Sequence, residues 1–192
     1  MSLAGPPQEV RTAARKGEGM PVSARHGPQA AAHPWRRVLI FYAWAMLMAC
    51  FFANAEIQIE GGAGWATSLP TWRIEKHWLL DLFWGGRAMT GYHAWVFSFM
   101  ALVFLLPLAF QGRWRGRDFV LALGGLAAFW VAEDLLWFVV NPAYGLARLD
   151  PAHVPWHPRW LLGLPLDYWW GAALAAGLGA WHVRLSTRAA QQ

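Results

Sequence analysis

Charge is scarce in this chain. Only 14% of its 192 residues are Asp, Glu, Lys or Arg and 57% are hydrophobic, whereas a soluble domain carries about 25% charged residues. That balance points to a membrane protein. Cysteine is scarcer still. Cys50 stands alone, which excludes an internal disulfide and any Cys-cluster metal site. It lies in an apolar run, so a buried, inert thiol is expected. The GxSxG elbow, the P-loop and the dinucleotide fingerprint are all missing, as is a tight HExxH ligand pair. The net charge of +5 is not a basic surface. Residues 1–37 hold six Lys/Arg against Glu9 and Glu18, which leaves an excess of one for the rest. That argues against nucleic acid as a partner, which needs a basic patch on the folded body.

Long apolar runs and tryptophan are what the chain has in abundance. The 15 Trp residues suit a bilayer interface, where an apolar ring and one N–H donor both find what they need. Residues 1–34 are rich in Ala, Pro, Gly and Arg without apolar periodicity and read as a disordered cytoplasmic tail; Met20 is an alternative start. One domain over residues 35–188 follows, with four spans expected at about 38–55, 90–110, 119–140 and 166–183, each close to the roughly 20 residues a bilayer needs. Pro107 kinks the second span, and Asn141-Pro142 stops the third. Between the first two spans, Thr71 to Trp84 reads as a short helix lying in the interface plane, capped by Thr71. Pro151, Pro155, Pro158 and Pro165 forbid a regular helix in the loop before the fourth span. That span is rich in Ala and Gly, which lets helices approach closely. The expected fold is all-α, an integral membrane four-helix bundle with an interfacial helix between spans one and two.

Lys and Arg near span ends set orientation. The tail has six, the 113–117 loop three and the C-terminus two, eleven on one side; Arg73, Lys76, Arg87, Arg148 and Arg159 make five on the other. Both termini are therefore expected in the cytoplasm. Glu56, Glu60, His93, Glu133, Asp134, His153, His157 and Asp167 then all fall toward the outer leaflet, with Asp118 and His182 as the inner exceptions. Glu133 lies about 10 Å below the outer end of its span.

An ionisable group at that depth costs about 2.5 kcal/mol or more on insertion scales. A cation, a metal, a shared proton or a water-filled cavity must compensate. His93, His157, Glu133 and Asp167 are candidate ligands for a divalent Zn, Fe or Mn, with water in the open position. Glu133 and Asp134 are the candidate catalytic carboxylates, one of them serving as general base. Plainer roles exist for each. Glu133 and Asp134 could form a structural ion pair with Arg73, Arg87 or Arg159. His93 could be a satisfied core histidine. Asp167 could sit in the first turn of a helix, where the dipole favours an acid. Glu56 and Glu60 could accept hydrogen bonds from the glycine-rich turn at 61–64. His77 and His153 read as solvated or interfacial, and Asn141 as a stop signal.

Several strings occur together: Glu56-Ile57-Gln58-Ile59-Glu60-Gly61, Gly64-Trp65-Ala66, Leu69-Pro70-Thr71-Trp72, Thr90-Gly91-Tyr92-His93, Glu133-Asp134-Leu135-Leu136-Trp137-Phe138 and Asp167-Tyr168-Trp169. They resemble a family of small bacterial four-span integral membrane proteins with no known activity. The resemblance covers about residues 38–183 and implies a bacterial inner membrane. It carries over no catalytic residue. The functional expectation is a metal-dependent membrane enzyme acting on a lipid-like substrate. The alternatives are a non-enzymatic subunit or assembly factor and a proton- or ion-coupled transporter. Membrane lipids are the expected partners, with a protein partner or a homo-oligomer as further possibilities.

Overall fold

The computed structural model describes residues 33–83 and 86–191. Most of the expected tail, Met20 included, lies outside them. The described chain is mostly helical. Helix α1 (Pro34–Glu60) is followed by short α2 (Trp78–Phe83), then α3 (Gly91–Gln111), α4 (Gly116–Val140) and α5 (Leu166–Ala190). Among the described residues, α1, α3 and α4 are long and apolar enough to cross a membrane.

Helix α4 is the centre of the packing and contacts α1, α3 and α5. The stripe that α1 turns toward it is small: Ala45, Ala49 and Ala53 are fully buried at a four-residue step, and the same stripe continues through Glu56 and Glu60. Cys50 is correspondingly exposed, not buried as expected. It follows Ala49 by one residue, and that step turns it about 100° away from the packed stripe. Facing α1, Gly124 and Gly125 of α4 permit a close approach. A Cβ on Gly124 would stand 2.2 Å from the Tyr42 hydroxyl, and one on Gly125 would stand 2.4 Å from the Phe41 ring. Tyr42 reaches across to donate to the Ala175 carbonyl of α5 at 2.6 Å. Of the small residues of α5, Ala175 and Gly179 are buried, while Ala172, Ala173, Ala176, Gly177 and Ala180 are exposed.

Phe129 of α4 fills the middle of the molecule against Ala45, Ala49, Met100 and Phe104. The outer surface of the long helices is apolar. Phe51 is 72% exposed, Trp95 75% and Phe110 83%, and a water-soluble monomer rarely leaves so much contiguous apolar surface open. The polar side chains are drawn to the two ends.

The connection between α1 and α3 differs from the helix expected over Thr71–Trp84. Arg73–Ile74 is a two-residue strand, β1, paired antiparallel with β2, Met89–Thr90; only Trp78–Phe83 is helical. Thr71 caps no helix of its own; its hydroxyl accepts the Tyr92 N–H in the first turn of α3 at 3.1 Å, and the cap of α3 is Thr90, which accepts the His93 N–H. The proline-rich loop after α4 avoids an α-helix, as expected. It contains one 3₁₀ turn at Leu146–Arg148 and a hairpin of β3 (Trp160–Leu161) and β4 (Leu164–Pro165). Leu162 and Gly163 both have positive φ at its tip, as a tight two-residue hairpin turn requires.

Candidate functional site

The C-terminal ends of α1 and α4 meet the N-terminal ends of α3 and α5, and a cavity of about 590 Å³ opens among them. One part of its wall is apolar, with Phe97, Leu126, Trp130, Val131, Trp170 and Leu174. The other is polar and holds two groups of ionisable side chains.

The first group is Glu56, Glu60 and His93, all buried, each offering a ligand atom within 4.8 Å of the other two. Helical spacing explains the acids: four residues apart on α1, they stack one turn above the other on its packed stripe. Glu60 Oε1 accepts the Ala66 N–H. The donor lies two residues beyond the glycine-rich turn at 61–64, in a strained stretch. Trp65 and Ala66 both take left-handed backbone conformations, each costing roughly 1–2 kcal/mol for a non-glycine residue. Glu56 Oε1 accepts the Tyr92 hydroxyl at 2.9 Å. His93 is oriented from two sides. Its Nδ1 meets Thr90 Oγ1 at 2.7 Å, and its ring stacks on Trp65 at 3.9 Å. Glu133 reaches the same place from α4, its carboxyl against that of Glu56. The two carboxyls share a hydrogen bond, while the indole Nε1 of Trp137 one turn on is buried and has no partner among the described residues; Glu133 and Trp137 both line the cavity.

The second group surrounds His157, whose side chain is fully buried. Its Nε2 lies 3.0 Å from Asp134 Oδ2 and its Nδ1 lies 3.2 Å from Asp167 Oδ2. Asp134 also accepts the Tyr168 hydroxyl, and Asp167 pairs with Arg87. The Arg87 guanidinium lies over the Trp65 ring at 4.7 Å, a distance at which cation and ring attract. Burial pulls the Arg87 pKa below its ordinary value, and the Asp134 carboxylate opposes that pull. Arg87 therefore stands between the two groups, joined to one by its charge and to the other through Trp65.

This arrangement corrects the ligand set expected from the sequence. His93, His157, Glu133 and Asp167 do not converge on one point. Among the described residues only Glu56, Glu60 and His93 approach one another as a three-ligand set, while His157 and Asp167 belong to the ion-paired group. The cause is the direction of adjacent side chains on α4. Glu133 and Asp134 point about 100° apart, so one faces α1 and the other faces the loop and α5. Asp134 lies against His157, where an ion pair with Arg73, Arg87 or Arg159 was expected for this doublet. Asp167 takes the plainer of its two expected places, in the first turn of α5, and pairs with Arg87. His77 and His153 are exposed, as expected.

Glu56 and Glu60 were legible as an i, i+4 pair, but a first span ending at Ala55 placed them beyond the helix. Asn141 ends α4 as expected and also does more. It is buried, and its Nδ2 donates to the Gly61 carbonyl at 3.0 Å, tying the end of α4 to the end of α1. No protein-family model, curated protein or solved structure matches the chain. The chemistry of the cavity therefore carries the functional argument.

Proposed function

We propose that the chain is an inner-membrane enzyme of the small bacterial four-span kind its sequence resembles, acting on a lipid-like molecule held in the 590 Å³ cavity. In this reading α1, α3, α4 and α5 all cross the bilayer as a four-helix bundle. Helix α5 is less apolar than the others, but its 25 residues reach about 37 Å, and it packs on α4, which is apolar enough to span. Helix α2 lies at the interface. Both termini are cytoplasmic, which places the cavity in the outer leaflet.

The observation that carries the proposal is the two-sided cavity wall. Its apolar part, from Leu126 and Phe97 to Leu174, suits an acyl or isoprenoid chain. Its polar part, with Glu133, Asp134, His93, Arg87 and Arg159, suits a head group. Glu133, buried and in the cavity lining beside Glu56, is the carboxyl we assign the role of general base. Asp134, bonded by Tyr168 and held beside His157, serves as the second carboxylate and orients that imidazole.

The test needs no known substrate. The protein is purified in mild detergent and its bound lipids are compared by mass spectrometry with those of the parent membrane. The wild type should retain one lipid class well above its membrane abundance. Ala127→Phe fills the cavity and should lose it, while Glu133→Gln should retain it. A bound-lipid profile equal to the membrane in wild type and in Ala127→Phe alike would defeat the proposal. A stoichiometric protein partner in its place would favour a structural subunit.

A further inference from the structure

We infer that Glu56, Glu60 and His93 bind one divalent transition metal of the Zn, Fe or Mn class, with Glu133 poised beside its open position. The inference deepens the proposal above and rests on it for the metal's use in a reaction. The binding itself is argued from charge and geometry.

Three carboxyl groups, of Glu56, Glu60 and Glu133, crowd one buried point. Their relative exposures are 8%, 6% and 3%. Among the described residues no ion pair reaches any of them, and two of the nearby cations are engaged elsewhere. Arg87 is paired with Asp167, and Arg73 donates to the Ala66 carbonyl. A buried charge needs a partner, and hydrogen bonds from Tyr92 and from Ala66 N–H add no positive charge. A divalent ion would supply that charge. The donors suit a borderline metal, one imidazole nitrogen with two carboxylate oxygens, and three protein ligands leave a position for water or substrate. Supporting bonds of the kind that orient metal ligands are already in place, from Thr90 to His93, Tyr92 to Glu56 and Ala66 N–H to Glu60,. A second, independent sign is the indole Nε1 of Trp137, a buried donor without a hydrogen-bond partner among the described residues, in the lining of the same cavity. Glu133 lies beside the cluster, its carboxyl hydrogen-bonded to that of Glu56.

The alternative state of these residues is neutral, with protons shared among the carboxyls. Elemental mass spectrometry separates the two. Full-length protein is purified in detergent without chelator, stripped, and titrated with Co(II) while its visible spectrum is followed. The expected result is about one metal per chain as purified and one Co(II) taken up with visible ligand-field bands. His93→Ala and Glu60→Gln should each weaken Co(II) binding by about tenfold or more. His157→Ala and the surface variant His153→Ala should bind as wild type does. Should His93→Ala fail to fold, the Glu60→Gln result and the wild-type spectrum still decide. A folded wild type that neither carries metal nor takes up Co(II) would overturn the inference, as would undiminished binding in Glu60→Gln or loss confined to His157→Ala. Metal content is read without lipid and bound lipid without metal, so failure here leaves the cavity proposal separately testable.

Discussion

The two ends of the long helices handle buried acids in opposite ways. At one end Asp118, in the first turn of α4, meets Arg37 of α1 at 2.9 Å, one acid to one cation. His182 beside it is closed off by the Arg117 carbonyl at 2.7 Å. At the other end Glu56, Glu60 and Glu133 share one point with no guanidinium among the described residues bound to any of them. A cavity lined by tryptophan opens over them. Pairing of the first kind locks two helices together and matches the acid's charge, although a cavity of about 660 Å³ lies beside this pair too. Crowding of the second kind is costly in the absence of a ligand, and a fold tolerates that cost where function requires it. The strained Trp65 and Ala66 belong to this second end.

Two substitutions test the comparison. Asp118→Asn removes the acid from the matched pair. Thermal unfolding in detergent should show a loss of about 1–2 kcal/mol, below the value for a fully buried pair because Arg37 is half-exposed. Glu133→Gln removes an acid that has no cation. In metal-free protein the same measurement should show unchanged or higher stability, by up to about 1 kcal/mol. If both variants lose stability alike, the two ends are not different in kind, and the crowded acids are ordinary structure.

The smallest effect lies on the exposed loop. A hydrogen bond from His153 holds Asp150 below the usual carboxylate range. Because the folded value is depressed, the contribution is present above the unfolded carboxylate pKa and is lost as pH falls through the folded value. His153→Ala should return Asp150 toward its ordinary pKa in a carbon-detected NMR titration. Melting near neutral pH should not change, since this pair is solvated.

Particular residues show how far the sequence reached. A charge-free run from Val38 to Ala55 is a long apolar helix by composition alone, and the glycines at 61–64 end it because their backbone permits the turn. The gathering of His93, Glu133, His157 and Asp167 at one end followed from alternating helix direction. The mistaken ligand set came from treating that end as one layer, when each helix also has a rotation about its own axis. Composition fixes which segments are apolar, and chain direction fixes which end a residue reaches. Rotation is decided by packing: Ala45 and Ala49 cluster with Phe129, and Ala53 with Trp137 and Phe138, and these contacts turn Glu56 and Glu60 inward. The same contacts turn Glu133 toward α1 and leave Asp134 to His157. That distinction depends on side-chain volumes meeting across helices more than 60 residues apart in the chain, and so only the tertiary structure could make it.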